Sequence, residues 1–227
     1  MFVALLAAFT ICLLWIVFNV FSIKHSLFLK STCRVNTTEN VVFLSFDDGP
    51  SEQYTPLILN TLKEKNLQGL FFCIGENAEL YPELIKRISD EGHIIGNHTY
   101  SHKWQNTFIL SDKFKAEISH TTIILNKISG QEIELFRPPF GITNPAIAKA
   151  VNALKMLSIG WDIRSFDTII DDPKKLIQRI CKRLRSGSII LLHDNRKITS
   201  LILGELIETI QQQGYKILPL PDLKKNN

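Results

Sequence analysis

The chain has 227 residues, of which 45% are hydrophobic and 21% charged, with a formal net charge of +4. This is enough for one sizeable core, within the range of a single α/β barrel domain, and the composition is that of an ordinary globular protein. Lys and Arg are scattered, with only short clusters such as Lys182-Arg183 and Lys224-Lys225, which argues against a nucleic-acid footprint and leaves at most a mild attraction to anionic surfaces.

Residues 1–23 contain no charged side chain. As a helix they would span roughly 35 Å, more than the ~30 Å hydrocarbon core of a bilayer. Trp15 and several Phe residues suit a lipid-facing helix. A cleaved signal peptide competes with this reading, but no basic stretch precedes the run and no clear Ala-x-Ala site precedes Lys24. A buried N-terminal helix is the blander alternative. The expectation is an uncleaved membrane anchor. Lys24, Lys30 and Arg34 follow the span and nothing basic precedes it, so the positive-inside rule would keep the following domain in the cytoplasm.

Residues 24–40 read as a connector ending in the polar run Asn36-Thr37-Thr38-Glu39-Asn40. From 41 to 220 strand-like and helix-like segments alternate. Strand candidates are 41–46, 69–74, 93–97, 133–136, 156–161, 187–193 and 215–218. Asn144-Pro145, Asp172-Pro173 and Thr55-Pro56 each pair an N-cap residue with Pro at the first helical position; Tyr81-Pro82 keeps only the proline. Gly92 and Gly214 sit where C-terminal caps belong. Phe114, Ile118, Thr121, Leu125 and Ile128 share one helical stripe, as do Leu176 or Ile177, Ile180, Cys181 and Leu184. The four cysteines show no C-x-x-C spacing and read as buried thiols. Such alternation implies a parallel sheet with helices outside: a distorted (β/α) barrel of about seven parallel strands, preceded by the N-terminal hydrophobic helix. A doubly wound open sheet is the competitor, but no Gly-rich phosphate loop follows the first strand. In either architecture the site gathers at the strands' C-terminal ends.

The polar motifs fall there. The apolar run Val41-Val42-Phe43-Leu44 leads into Ser45-Phe46-Asp47-Asp48-Gly49-Pro50, two adjacent carboxylates before a turn breaker. Such neighbours repel, so a metal or a cation is needed to keep both ionised. His98 and His102, four apart, would share one side of a helical turn. With one Asp they make a two-His, one-carboxylate set that leaves positions open for water and substrate. Arg137, before two prolines, suits a fixed cation beside the other Asp. His193, emerging from Ile189-Ile190-Leu191-Leu192, suits a general acid. Taken singly, each feature has a structural explanation; together with Asp162 through Asp167, which follows the fifth strand candidate, they place five distant segments on one rim.

The set Ser-Phe-Asp-Asp-Gly-Pro, His-Thr-Tyr-Ser-His, Arg-Pro-Pro-Phe-Gly and Leu-Leu-His resembles the motifs of the polysaccharide deacetylases, carbohydrate esterases with a NodB-homology domain, over roughly residues 40–220. The resemblance implies metal-dependent removal of acetyl groups from N-acetylated sugars, such as the GlcNAc or MurNAc of peptidoglycan. It implies a divalent ion, with zinc first and Co²⁺ or Ni²⁺ as alternatives. It makes Asp47 the general base, Asp48, His98 and His102 the metal ligands, and Arg137 the residue that orients the base. Phe140 would supply an oxyanion N–H, Leu191 the wall around the acetyl methyl group, and His193 the general acid. Asp167 would pair with that acid and raise its pKa. Arg164 and Thr168 depart from the family's Asp-x-x-Asp-Trp pattern, so an aromatic groove wall is missing. Implied partners are an acetylated glycan and, through residues 1–23, a membrane, with no nucleic acid. By resemblance the catalytic domain works outside the cytoplasm, against the charge flanks. An O-acetyl esterase of the same family, or a silent glycan-binding domain, are the alternatives.

Overall fold

The computed structural model describes residues 1–221 and residue 223; the Lys224-Lys225 pair lies outside them. After helix α1 (Phe2–Phe21), the chain runs through β1 (Val41–Gly49), α2 (Thr55–Glu64), β2 (Leu70–Cys73), α3 (Gly75–Leu80), α4 (Pro82–Asp90) and β3 (Ile94–Asn97). There follow α5 (Ser111–Ser129), β4 (Leu135–Phe136), α6 (Pro145–Ala153), β5 (Leu157–Ser158) and β6 (Ile163–Arg164). The chain closes with α7 (Pro173–Cys181), β7 (Ser188–His193), α8 (Lys197–Gln212) and β8 (Lys216–Ile217).

All the strand pairs are parallel, in the order β5-β4-β3-β2-β1-β7-β6, with β8 also on β1. β1 and β7 are buried almost throughout, as strands covered on both faces must be. Phe43 of β1 and Ile189 of β7 form a small inner core with Leu70 and Phe72 of β2 and Ile159. The outer face packs against the helices through Phe46, Ile118, Leu125, Leu176, Ile180 and Leu206. Asn144 and Asp172 cap α6 and α7 through the N–H groups of Ile147 and Lys175, whereas Thr55 lies inside α2 and caps nothing.

The curl is seven strands wide but open, because β5 and β6 do not pair with one another. Part of the gap is filled by the connector. Thr32 bridges Ile159 and Arg34 bridges Ser188, with Thr32 N–H donating to Ser158 O and Val35 N–H to Gly187 O, each at 2.9 Å. Gly187, at φ +80°, leaves no room for a side chain beneath the Val35 carbonyl. The stretch from Thr32 to Val35 is therefore bonded to the sheet's backbone. Strand β6 also escapes the sequence pattern: at two residues it is too short to show a period.

The expected membrane-spanning segment is not borne out. Among the described residues no helix is long and apolar enough to cross a membrane. The reason lies in the last turn of α1, which belongs to the domain. Asn19 is buried, accepts from Leu27 N–H and donates to Trp15 O, while Thr143 N–H donates to Val20 O at 2.9 Å. Only residues 2–18 stand free, roughly 25 Å of helix against a core of ~30 Å. On that part Phe2, Leu5, Phe9, Trp15 and Phe18 are exposed.

Candidate active site

Two adjacent strand residues ordinarily point to opposite faces. At the end of β1 the register shifts between Asp47 and Gly49, and Asp48 takes φ +72°, a left-handed conformation that Asp tolerates better than most residues. Both carboxylates thereby face one pocket. His98 Nε2 lies 3.6 Å from Asp47 Oδ2 and 3.5 Å from Asp48 Oδ1.

The expected helical turn between His98 and His102 is absent. The segment is a loop in which Thr99 and His102 have φ +67° and +50°, and these left-handed residues bring the imidazoles to 4.7 Å between ring centroids. Asn97 Oδ1 accepts the Thr99 N–H at 2.8 Å, and Glu117 of α5 accepts the Ser101 N–H at 3.0 Å. These bonds substitute for the missing helical ones.

Asp48, His98 and His102 each offer one ligand atom, all within 4.8 Å of one another. Asp48 Oδ1 stands 3.5 Å from His98 Nε2 and 3.4 Å from His102 Nε2. Donors around a tetrahedral ion with bonds of about 2.0–2.1 Å stand roughly 3.3 Å apart, so the trio fits a zinc-sized cation. The imidazole of His98 is also oriented for it: Nδ1 lies 2.8 Å from Arg137 O, which leaves Nε2 as the donor atom. Burial, then the charge of His98, lowers the pKa of His102 to about 4. Burial works to raise Asp48, but the hydrogen bond and charge of His98, with His102 and His193, hold it well below the usual carboxylate range.

Arg137 is fully buried. Nη1 donates to Asp47 Oδ1 at 2.6 Å and to Ser45 Oγ at 2.9 Å, Nη2 to Gly160 O at 2.8 Å and Nε to Ile159 O at 3.1 Å. Its guanidinium lies 4.1 Å from the Phe72 ring centroid. Across the pocket, His193 pairs in register with Asp47. Its Nδ1 lies 2.7 Å from Asp167 Oδ1, and Asp167 Oδ2 accepts both the His193 N–H and the Thr199 hydroxyl. Burial works to lower His193, but the hydrogen bond and charge of Asp167 outweigh it and the pKa is raised. Leu191 is buried on the same strand face as His193, and Phe140, at φ +60° in the turn Pro139–Gly141, lays its ring 4.5 Å from that of His102.

All nine expected residues thus reach one rim. Arg164 and Thr168 do not rebuild the absent wall: the Arg164 guanidinium lies over Phe166, 4.8 Å from its centroid. Ser45, Ser165 and Thr199 fix Arg137 and Asp167; Thr199 lies within a helix whose sequence pattern carries no sign of that role. Asp194 follows His193. Its carboxyl is buried, accepts from Thr55 Oγ1 at 2.6 Å and leaves Oδ1 without a partner. A cavity of about 510 Å³ opens at the opposite ends of β2 and β3, lined by Lys63, Gln68, Glu91 and His93, and holds none of these residues.

A curled parallel sheet with a His/Asp trio and an acid–base pair at its C-terminal rim defines a hydrolase of the carbohydrate-esterase kind. Residues 34–159 match the polysaccharide deacetylase family model, and the chain belongs to that family. It is 32% identical over 186 residues to a peptidoglycan-N-acetylglucosamine deacetylase of Bacillus cereus, covering 80% of this chain and 67% of the relative. It is 33% identical over 192 residues to the peptidoglycan-N-acetylmuramic acid deacetylase PdaA of Bacillus subtilis, covering 83% and 73%. Its fold is similar to that of a wild-type CE4 family pseudoenzyme from Bacillus anthracis, with TM-score 0.77 and 26% identity over 83% of this chain and 66% of the other.

Proposed function

We propose that this chain is a zinc-dependent N-deacetylase acting on the GlcNAc or MurNAc of peptidoglycan or a related glycan. The reading rests above all on one observation. The three ligand atoms, the Arg137-held Asp47 and the Asp167-held His193 share a single pocket. Asp47 takes a proton from the attacking water, with Arg137 Nη1 holding its Oδ1 in place. A divalent ion held by Asp48, His98 and His102 would supply Lewis acidity toward water and the acetyl carbonyl. The Phe140 N–H donates to the developing oxyanion, and Leu191 packs against the methyl group. His193 Nε2 protonates the nitrogen as the C–N bond breaks, releasing acetate and a free amine.

The test is acetate release from acetylated chitooligosaccharides and muropeptides. Chelation should abolish it and zinc restore it. Asp48→Ala should lose the metal, whereas Asp47→Asn should keep the metal and lose activity. Acetate release by Asp47→Asn at the parent rate would remove the base assignment. Release only from O-acetylated sugars would make the chain an esterase. No release from any substrate, with metal bound, would make it a glycan binder like a pseudoenzyme. As to place, the reading puts the catalytic domain outside the cytoplasm beside the wall, with the free part of α1 lying in a lipid surface. Its support is the uncharged, exposed side chains of residues 5–18, and fractionation of cells expressing the chain tests it.

A further inference from the structure

Thr168 stands where the family resemblance calls for a Trp, so the groove lacks a flat wall on that side. On another side of the pocket, exposed rings run away from the metal trio in a connected row. Phe140 lies 4.5 Å from His102, Trp104 lies 5.3 Å from Phe140, and Phe21 lies 6.2 Å from Trp104 with the two planes only 17° apart. Phe108 adds an edge contact to Trp104 at 5.5 Å. Phe140, Trp104, Phe21 and Phe108 are 44%, 46%, 54% and 55% exposed. Single exposed aromatics are ordinary, but a contiguous row starting at a reactive centre marks a ligand groove.

The row is held rigidly. Thr143, just after the turn that carries Phe140, ties that turn to the last turn of α1. Its N–H donates to Val20 O and its hydroxyl to Asn19 O at 3.0 Å. Asn144 Nδ2 donates to Thr107 O at 2.7 Å, which fixes the turn bearing Trp104 and Phe108. Three segments far apart in sequence therefore present their rings together, and one of them is the N-terminal helix.

We propose that Trp104 and Phe21 form the sugar-stacking wall of the groove, taking the role that Thr168 cannot fill. The wall receives the pyranose rings flanking the acetylated sugar. The proposal rests on the deacetylase reading above. A pyranose presents C–H groups on its faces, which suit the electron-rich face of an aromatic ring and its low conformational cost. The wall reaches past the reacting sugar, so it favours an oligomer over a monosaccharide. It also makes the end of α1 a part of substrate binding.

The experiment uses the full zinc-loaded chain and its Trp104→Ala and Phe21→Ala variants. KM and kcat are measured on acetylated chitopentaose and compared with those for 4-nitrophenyl acetate, which is too short to reach Trp104. Each variant should raise the oligomer KM about fivefold, the size of a lost aromatic stack, with a smaller change in kcat and on the short ester. Trp104→Phe and Phe21→Tyr should restore KM. An unchanged KM, or equal losses on both substrates, overturns the wall. So does a loss confined to binding of phosphatidylglycerol vesicles, which would assign the row to a lipid surface. If the parent chain releases no acetate, the deacetylase reading fails on its own. The wall is then read by fluorescence quenching on titration with chitopentaose, using Trp104→Phe as the blank; absence of a Trp104 signal overturns it.

Discussion

Arg137 and Asp47 meet at 2.6 Å with their side chains 0% and 4% exposed, so a full ion pair sits beneath the floor of the pocket. Removing one member leaves the other charged and buried, which costs roughly 3–5 kcal/mol. Arg137→Met should lower stability by that order and acetate release by roughly 10²-fold or more. Arg137→Lys keeps the charge but cannot serve Ser45, Asp47, Ile159 and Gly160 at once, so it should recover stability in part and activity little. Thermal unfolding and acetate assays on both variants decide; a Met variant as stable as the parent would mean that removing Arg137 leaves no uncompensated charge buried at Asp47.

The acid limb of catalysis has a sign that can be checked. His193 must be protonated to act, and Asp167, against the pull of burial, raises its pKa. Activity should therefore fall as pH rises through that raised value. Asp167→Asn withdraws the support and leaves burial, so the alkaline fall in kcat/KM should move to lower pH. Linkage has the same direction. The folded pKa exceeds the unfolded value of about 6.5, so this stabilisation is complete below the unfolded value and is lost as pH rises through the folded one. A pH–rate profile whose alkaline limb does not move in Asp167→Asn would separate the pair from proton transfer.

Asp194 has the opposite character to the usual carboxylate. Burial raises its pKa to about 7, opposed by the Thr55 hydroxyl and reinforced by the charge of Asp48. The folded chain thus holds a proton that the unfolded chain releases near pH 4. Between about pH 4 and 7, stability of the metal-free chain should decline through this group by up to about 1.4 kcal/mol per pH unit. Asp194→Asn keeps an acceptor for Thr55 and should flatten the decline, as seen by Tm across that pH range. Parallel Tm curves for variant and parent would show Asp194 ionised throughout.

Truncation should distinguish the free part of α1 from the part that belongs to the domain. Ile23, Leu29 and Cys33 are buried at 5%, 4% and 7% exposure, and a buried side chain of this size contributes about 1.5–3 kcal/mol. A chain starting at residue 19 should fold with nearly parental stability. One starting at Asn36 should be several kcal/mol weaker by urea unfolding. Equal midpoints would mean that residues 19–35 pack only loosely.

The sequence announced the site more completely than the sheet around it. The carboxylates and His193 end long apolar strands, whose burial is readable from composition alone. Arg137 follows the two-residue β4 yet is legible from the prolines beside it. β6 offers no such run, and its backbone bonds to β7 form only because the curl brings Ile163 against Ile190. The i, i+4 spacing of His98 and His102 suits a helix, whereas Asn97 and Glu117 satisfy the loop's N–H groups from outside it. Hydropathy shows residues 1–23 as one element, because it does not register that Asn19 is buried and bonded by Thr143. The aromatic row beyond Phe140 could not be seen at all, because stacking of Phe21 on Trp104 crosses more than eighty positions of chain.

The connector's place beside β5 and β7 has a consequence for how the molecule is made. Thr32 and Val35 leave the ribosome early, but Ser158 and Gly187, their backbone partners, are synthesised far later. Contacts of such sequence separation form slowly, and synthesis proceeds from the N-terminus. The amides of Thr32 and Val35 should therefore be among the last to gain protection in pulse-labelled hydrogen exchange during refolding, with early protection contradicting this order. Until that seam shuts, the strand edge of β5 stays open to pairing with other chains, and a nascent copy is most vulnerable to aggregation in that interval.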